Sequence, residues 1–154
     1  MNSTRNKTTF ILEDYLKAIA VLKRRNGKAT VTALSRMIGV KKPSIYRSLK
    51  RLTDDELVTH ERHGDIDLTP QGKKMADEIC HRHSVLFKFF TEVLDVAPAT
   101  AIDDACRMEH VLSSEIIEQI EALVRSNRNR ESSLKSGNSH SKGCGESILR
   151  TVVE

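Results

Sequence analysis

Cys106, Glu109 and His110 stand at i, i+3 and i+4, a spacing that brings three side chains to one face of a helix. Thiolate, carboxylate and imidazole offer sulfur, oxygen and nitrogen donors. Such a mixed set suits a borderline divalent ion such as Fe(II), Co(II), Ni(II) or Zn(II). A C-x-x-E-H run alone is a frequent coincidence, and two further residues add weight. His83 interrupts the apolar stripe of Met75, Ile79, Leu86, Phe90 and Val93, where an isolated histidine is ordinarily a satisfied core residue. Asp14 lies on the first helix, where an acid ordinarily faces solvent. Cys80, one turn before His83, is either a further ligand or, the more ordinary reading, a small buried filler.

The elements that must position these residues follow from periodicity. Leu12, Tyr15, Leu16, Ile19 and Leu22 form the stripe of a helix over residues 8–25, closed by Asn26, Gly27 and Lys28. Residues 31–38 read as a short second helix with Val31, Leu34 and Ile38 inward and Gly39 as its left-handed terminator. Pro43 fits the first turn of a third helix held by Ile45, Leu49 and Leu52. Two short helices joined by a glycine-containing turn make a helix-turn-helix. Val58, Ile66 and Leu68 then alternate with polar neighbours around His63-Gly64-Asp65, a hairpin or wing. Thr69 and Pro70 start a long helix running to about Leu94. Helices over 100–112 and after Ser113 follow, the last with Ile116, Ile117, Ile120 and Leu123 apolar. The fold class is mainly α: a winged helix-turn-helix over 1–72, a helical domain over 73–125, and a Ser-, Asn- and Gly-rich tail over 126–154 that reads as disordered.

Residues 41–51 hold Lys41, Lys42, Arg47, Lys50 and Arg51 and no acid. The third helix therefore buries its apolar side and presents a basic one, the form that enters a DNA major groove. Arg47 projects outward, and Pro43, Ser44, Ser48 and Arg51 share the exposed side. Lys41, Lys42 and Lys50 suit phosphates. Arg62, with His63, stands at the wing tip within reach of the adjacent groove or backbone. A solvated basic face is the bland alternative; the helix-turn-helix, the proline start and the wing argue for double-stranded DNA. Residues 99–123 hold six acids against one base, Arg107, so that half should not bind DNA. Its apolar face of Ile116, Ile117, Ile120 and Leu123 is either a homodimer surface or intrachain core.

The 154 residues carry a net charge of +4, which permits a nucleic-acid partner without requiring one. No stretch approaches the roughly 20 apolar residues of a membrane span. Three scattered cysteines and no export signal point to reduced thiols in the cytoplasm. Neither a glycine-rich phosphate loop nor a general base set apart from the donors is present, so an enzyme is not expected. A winged-helix regulator with a structural zinc or a thiol-sensing site is the alternative to a metal-sensing one.

Four segments carry a family resemblance: Glu13-Asp14-Tyr15-Leu16-Lys17-Ala18-Ile19, Leu68-Thr69-Pro70-Gln71-Gly72-Lys73, Arg82-His83, and Asp104-Ala105-Cys106-Arg107-Met108-Glu109-His110-Val111-Leu112-Ser113. In order and spacing, over about residues 8–125, the chain resembles the metal-dependent transcriptional regulators of the diphtheria-toxin-repressor and manganese-transport-regulator family. The resemblance implies a helical metal-binding and dimerisation domain after the winged helix-turn-helix. It also implies a regulatory metal site of Asp14, His83, Cys106, Glu109 and His110, and repression of metal-uptake genes with Fe(II) or Mn(II) as co-repressor. Asp14 matches the manganese branch and Cys106 the iron branch, a hybrid set. Lys17 replaces a glutamate of the manganese branch's paired site. Phe87 and Ile102 replace polar ligands of the iron branch's ancillary site. One metal per subunit is therefore expected, with His83 either bound to it directly or supporting one of its ligands. Arg47 stands where the iron branch has an operator-contacting glutamine.

Overall fold

Between Gly27 and Gly39 the chain reverses twice, and both reversals use the left-handed conformation that glycine adopts without strain (φ +70° and +72°). The computed structural model describes residues 3–60 and 64–134. Arg62 and His63 lie outside these, as do His140 and Cys144 of the tail. Helix α1 spans Ser3–Asn26, opening earlier than the apolar stripe alone indicates, and the Gly27 amide closes it on Lys23 O at 3.0 Å. Helix α2 spans Val31–Ile38 and is capped by Thr30, whose hydroxyl accepts the Ala33 amide at 3.2 Å. Its inward residues are Val31, Leu34 and Met37; Ile38, expected inside, is half-buried because Met37 takes the i+3 position from Leu34. Helix α3 spans Lys42–Asp54, with Pro43 in its first turn and Ile45, Leu49 and Leu52 buried.

Strands β1 (Val58–His60) and β2 (Ile66–Leu68) pair antiparallel, Val58 opposite Leu68 and His60 opposite Ile66. The hairpin packs on α3 through β1 and on α1 through β2. Leu16, Ile19, Leu34, Ile45, Leu49, Leu52, Val58 and Ile66 are fully buried in this three-helix, two-strand core. A polar bolt fixes the hairpin stem. Asp65 accepts the Ala29 amide at 2.6 Å and the Ile66 amide at 3.0 Å, and takes Lys23 Nζ at 2.8 Å; Lys23 also pairs with Asp67. Partial burial acts to raise the Asp65 carboxyl pKa, but the Lys23 ammonium and the two amides together outweigh it and hold the group below the ordinary carboxylate value. Because the folded value is depressed, this contribution is present above about pH 4 and is lost as the pH falls through the folded value. Asp65→Asn, which keeps an acceptor for Ala29, is expected to lower the melting temperature at pH 7. The gap should close below about pH 4; thermal melts across that range measure it, and a gap independent of pH would contradict it.

Helix α4 spans Pro70–Lys88. Thr69 caps it, its hydroxyl accepting the Gly72 amide at 3.0 Å and donating to Glu56 O at 2.7 Å. Contacts divide the chain inside this helix, with Cys80 ending the first unit and His81 opening the second. A five-residue π-helical turn, Phe89–Val93, continues α4. Helix α5 spans Pro98–Met108 and α6 spans Ser114–Leu134. Val85, Leu86, Ala105 and Ile117 form the core of the second unit, with Phe87, Phe90, Met108, Leu112 and Ile120 against it. Helix α6 runs beyond Val124 into residues whose composition reads as tail. Tertiary bonds explain the extension: Asn127 donates to Glu92 O at 2.9 Å, and Arg128 grips the Glu92 carboxylate at 2.6 and 2.5 Å. Among the described residues no helix is long and apolar enough to cross a membrane.

Candidate metal centre and nucleic-acid interface

His83 occupies the inward face of α4, between Ile79 and Leu86, and is 1% exposed. Cys106 lies in the last turn of α5. The helix ends at Met108, not past His110 as the spacing implies. Glu109 still takes helical angles (φ −58°, ψ −25°) and bonds its amide to Ala105 O at 2.9 Å, so it stays on the Cys106 face. His110 follows in the turn, its side chain 7% exposed.

These residues meet. His83 Nδ1 lies 2.7 Å from Glu109 Oε2 and 3.7 Å from Cys106 Sγ, and His110 Nε2 lies 3.6 Å from Glu109 Oε1. The ligand atoms of His83, Cys106 and Glu109 fall within 4.8 Å of one another, close enough to hold one ion. The Glu109 side chain is fully buried. Burying a carboxylate is costly unless it is paired, and imidazole supplies part of that pairing. The other imidazole nitrogen, His83 Nε2, is buried without a hydrogen-bond partner among the described residues. Sulfur, nitrogen and carboxylate oxygen converging around an incompletely satisfied imidazole is a donor set that fits a divalent transition metal. Cys80 is buried on α4 but is not part of this donor group among the described residues. Asp14 is exposed on α1 in the first unit, and Lys17, one turn on, is only 5% exposed. Phe87 and Ile102 are packing residues: Phe87 lies against the second core and Ile102 is buried.

Just before α3 Lys41 is exposed, and on the helix Lys42, Pro43, Ser44, Arg47, Lys50 and Arg51 are exposed and Ser48 is half-buried. Ile45, Leu49 and Leu52 are buried behind them, so the basic face is fully presented. Two side chains near these features escape a charge-based reading. Tyr46 is 46% exposed on this helix, its ring 6.1 Å from that of His60 on β1. An aromatic one position off the apolar stripe was the available signal. Arg82 reaches the turn that carries Glu109 and His110, and only its place beside His83 in the sequence hinted at this.

Residues 7–66 match the family model for the iron dependent repressor N-terminal DNA binding domain, and residues 69–132 that for the iron dependent repressor metal binding and dimerisation domain. The HTH-type transcriptional regulator MntR of Bacillus pumilus is 31% identical over 118 residues, covering 77% of this chain and 81% of its own. An HTH-type transcriptional regulator of Methanocaldococcus jannaschii is 31% identical over 114 residues, covering 73% and 91%. Among solved structures, a manganese-dependent transcriptional repressor in complex with manganese superposes with a TM-score of 0.68 at 28% identity, covering 74% of this chain and 52% of its own. IdeR of T. acidophilum gives 0.63 at 27% identity, covering 70% and 51%. The chain thus spans about half the length of these solved chains. Both halves of the fold, the donor cluster and the basic helix agree with these matches, and the chain belongs to the iron-dependent-repressor family of diphtheria-toxin-repressor and manganese-transport-regulator proteins, metal-dependent DNA-binding regulators of transcription and not enzymes.

Proposed function

We propose that this chain is a cytoplasmic repressor of metal-uptake genes, with Fe(II) or Mn(II) as co-repressor bound once per subunit. The convergence of buried His83 and Glu109 with half-buried Cys106 carries this reading. His110 adjoins Glu109, and the family resemblance adds Asp14 as the fifth donor. When bound, the cation supplies a positive centre that draws these donors together; it carries out no reaction. The Cys106 thiolate favours iron, whereas the Asp14 carboxylate accommodates manganese. The apolar packing of Phe87 and Ile102 supports a single ion per subunit, since neither side chain can ligate.

Helix α3 is the reading element. Lys41, Lys42 and Lys50 hold phosphates, Pro43 and Ser44 start the helix at the groove, and Ser48 and Arg51 flank Arg47. Arg62, outside the described residues, is assigned to the adjacent groove or backbone. Arg47 reads the O6/N7 edge of a guanine. Arg47→Ala is expected to cost about 1–3 kcal/mol and to relax specificity at one position per half-site. Binding of an operator and its single-base variants measures this; a uniform loss across all sequences would make Arg47 a phosphate contact instead.

Ile116 and Leu123, exposed on α6, belong to the homodimer face. Ile117 is buried in the second core and Ile120 packs against it, so the apolar helix face divides between the two roles. A dimer fixes the separation of two recognition helices, which must match the half-site spacing. Metal and operator are then linked, each tightening the other by the same factor. The deciding experiment is operator binding by the full chain across Mn(II), Fe(II), Co(II), Ni(II) and Zn(II), with metal stoichiometry measured alongside. Metal-dependent binding at one equivalent per chain is expected. Unchanged sequence-selective binding in fully chelated protein overturns the reading, two tight equivalents overturn the single site, and unfolding on chelation makes the centre a structural zinc.

A further inference from the structure

Arg82 precedes His83 on α4, and its side chain has a different target. Nη1 lies 3.4 Å from Glu109 O and 3.4 Å from Leu112 O, and Nη2 donates to Ser114 Oγ at 3.2 Å. These three acceptors bracket the turn between α5 and α6. Carbonyls at a helix C-terminus lack their intrahelical amide, and a cation there also meets the negative end of the helix dipole. Past Met108 the turn is held locally by the Val111 and Leu112 amides, both on Met108 O at 3.1 and 3.2 Å. His110 sits on that short stretch, and Glu109 opens it. A planar guanidinium presents its N–H groups as a rigid fork, which no ammonium reproduces. Arg82 thus ties the segment bearing two donors to the residue next to a third, His83.

We propose that Arg82 is a positioning residue for the metal centre, bracing the 109–114 turn so that Glu109 and His110 face a cation together with His83; this rests on the metal-site reading above. Groups that orient metal ligands typically change affinity by about 10–100-fold when removed. The test uses the full chain, with Mn(II) affinity from chelator competition, the Co(II) absorption spectrum as a reporter of donor geometry, and melting of the metal-free protein. Arg82→Ala is expected to weaken Mn(II) binding by about 10-fold or more and to shift the Co(II) bands. Arg82→Lys and Ser114→Ala, which remove part of the brace, should move both readouts the same way by less. Arg125→Ala, at an exposed arginine of the same unit, should move neither. Unchanged affinity and spectrum in Arg82→Ala overturn the proposal, as does a lower melting temperature with the metal readouts unmoved. Should metal-free Arg82→Ala fail to fold, the two milder variants decide on the same criteria. An unmodified protein that binds neither ion overturns the metal-site reading, and this one with it.

Discussion

Glu109→Gln is expected to leave a folded protein that no longer responds to metal. The Glu109 side chain is fully buried, 2.7 Å from His83 Nδ1. Glutamine has the same shape, and its amide oxygen can still accept from the imidazole. The folding penalty should therefore stay near the value of one hydrogen bond to a charged group, about 1.5–3 kcal/mol. What disappears is the anionic oxygen, the only carboxylate in the group of His83, Cys106 and Glu109. Loss of a direct donor should exceed the roughly 100-fold upper bound seen for groups that only orient ligands. Operator affinity should then be the same with and without metal. Titration calorimetry with Mn(II) and operator binding by fluorescence anisotropy, with a thermal melt as the folding control, measure these effects. A variant that retains the full metal response would remove Glu109 from the centre.

The largest stability effect falls elsewhere, at Gly72→Ala. A β-carbon on Gly72 would lie 1.8 Å from the Leu57 carbonyl oxygen and 2.8 Å from its carbon. Both are backbone atoms, so no rotamer change relieves the clash. The Leu57 carbonyl already accepts the Thr69 amide at 3.1 Å and the Thr69 hydroxyl at 3.2 Å. Displacing it would disturb the cap that starts α4. A loss of about 3 kcal/mol or more is expected, at the upper end for overpacking, and a melting temperature lower by roughly 10 °C. Gly27→Ala is the control: a β-carbon there meets nothing within 4 Å, so only the left-handed angle resists it, at about 1–2 kcal/mol. Urea unfolding of both variants gives the comparison. Equal small losses would mean that α4 and the Leu57 carbonyl can separate freely.

Much of this was legible because local signals agreed. Gly39, Pro43 and Thr69 each mark an element end by their own backbone or hydroxyl chemistry, and all three stand where that chemistry places them. Ile45, Leu49 and Leu52 fixed the buried side of α3, and with it the direction of the basic face. His83 is ambiguous in the sequence, since a core histidine and a ligand look alike in a stripe; the Glu109 carboxylate that the fold sets beside it comes from a distant segment and leaves no local signal. The end of α5 could not be read, because Glu109 and His110 are compatible with continued helix and the exit depends on the turn braced by Arg82. The extent of α6 was hidden for a similar reason. Residues 126–134 look tail-like by composition, and contacts from distant sequence, Asn127 and Arg128 on Glu92 among them, help hold this stretch as helix. Asp65 was visible as a turn residue, but its bond to Lys23 crosses 42 positions and has no local signature.

That bond also makes the hairpin and the first helix one mechanical piece. Lys23 spans both strand ends through Asp65 and Asp67, and Asp65 takes the Ala29 backbone as well. A force applied to the hairpin stem is therefore passed to α1 and to the start of α2 rather than absorbed by bending between them.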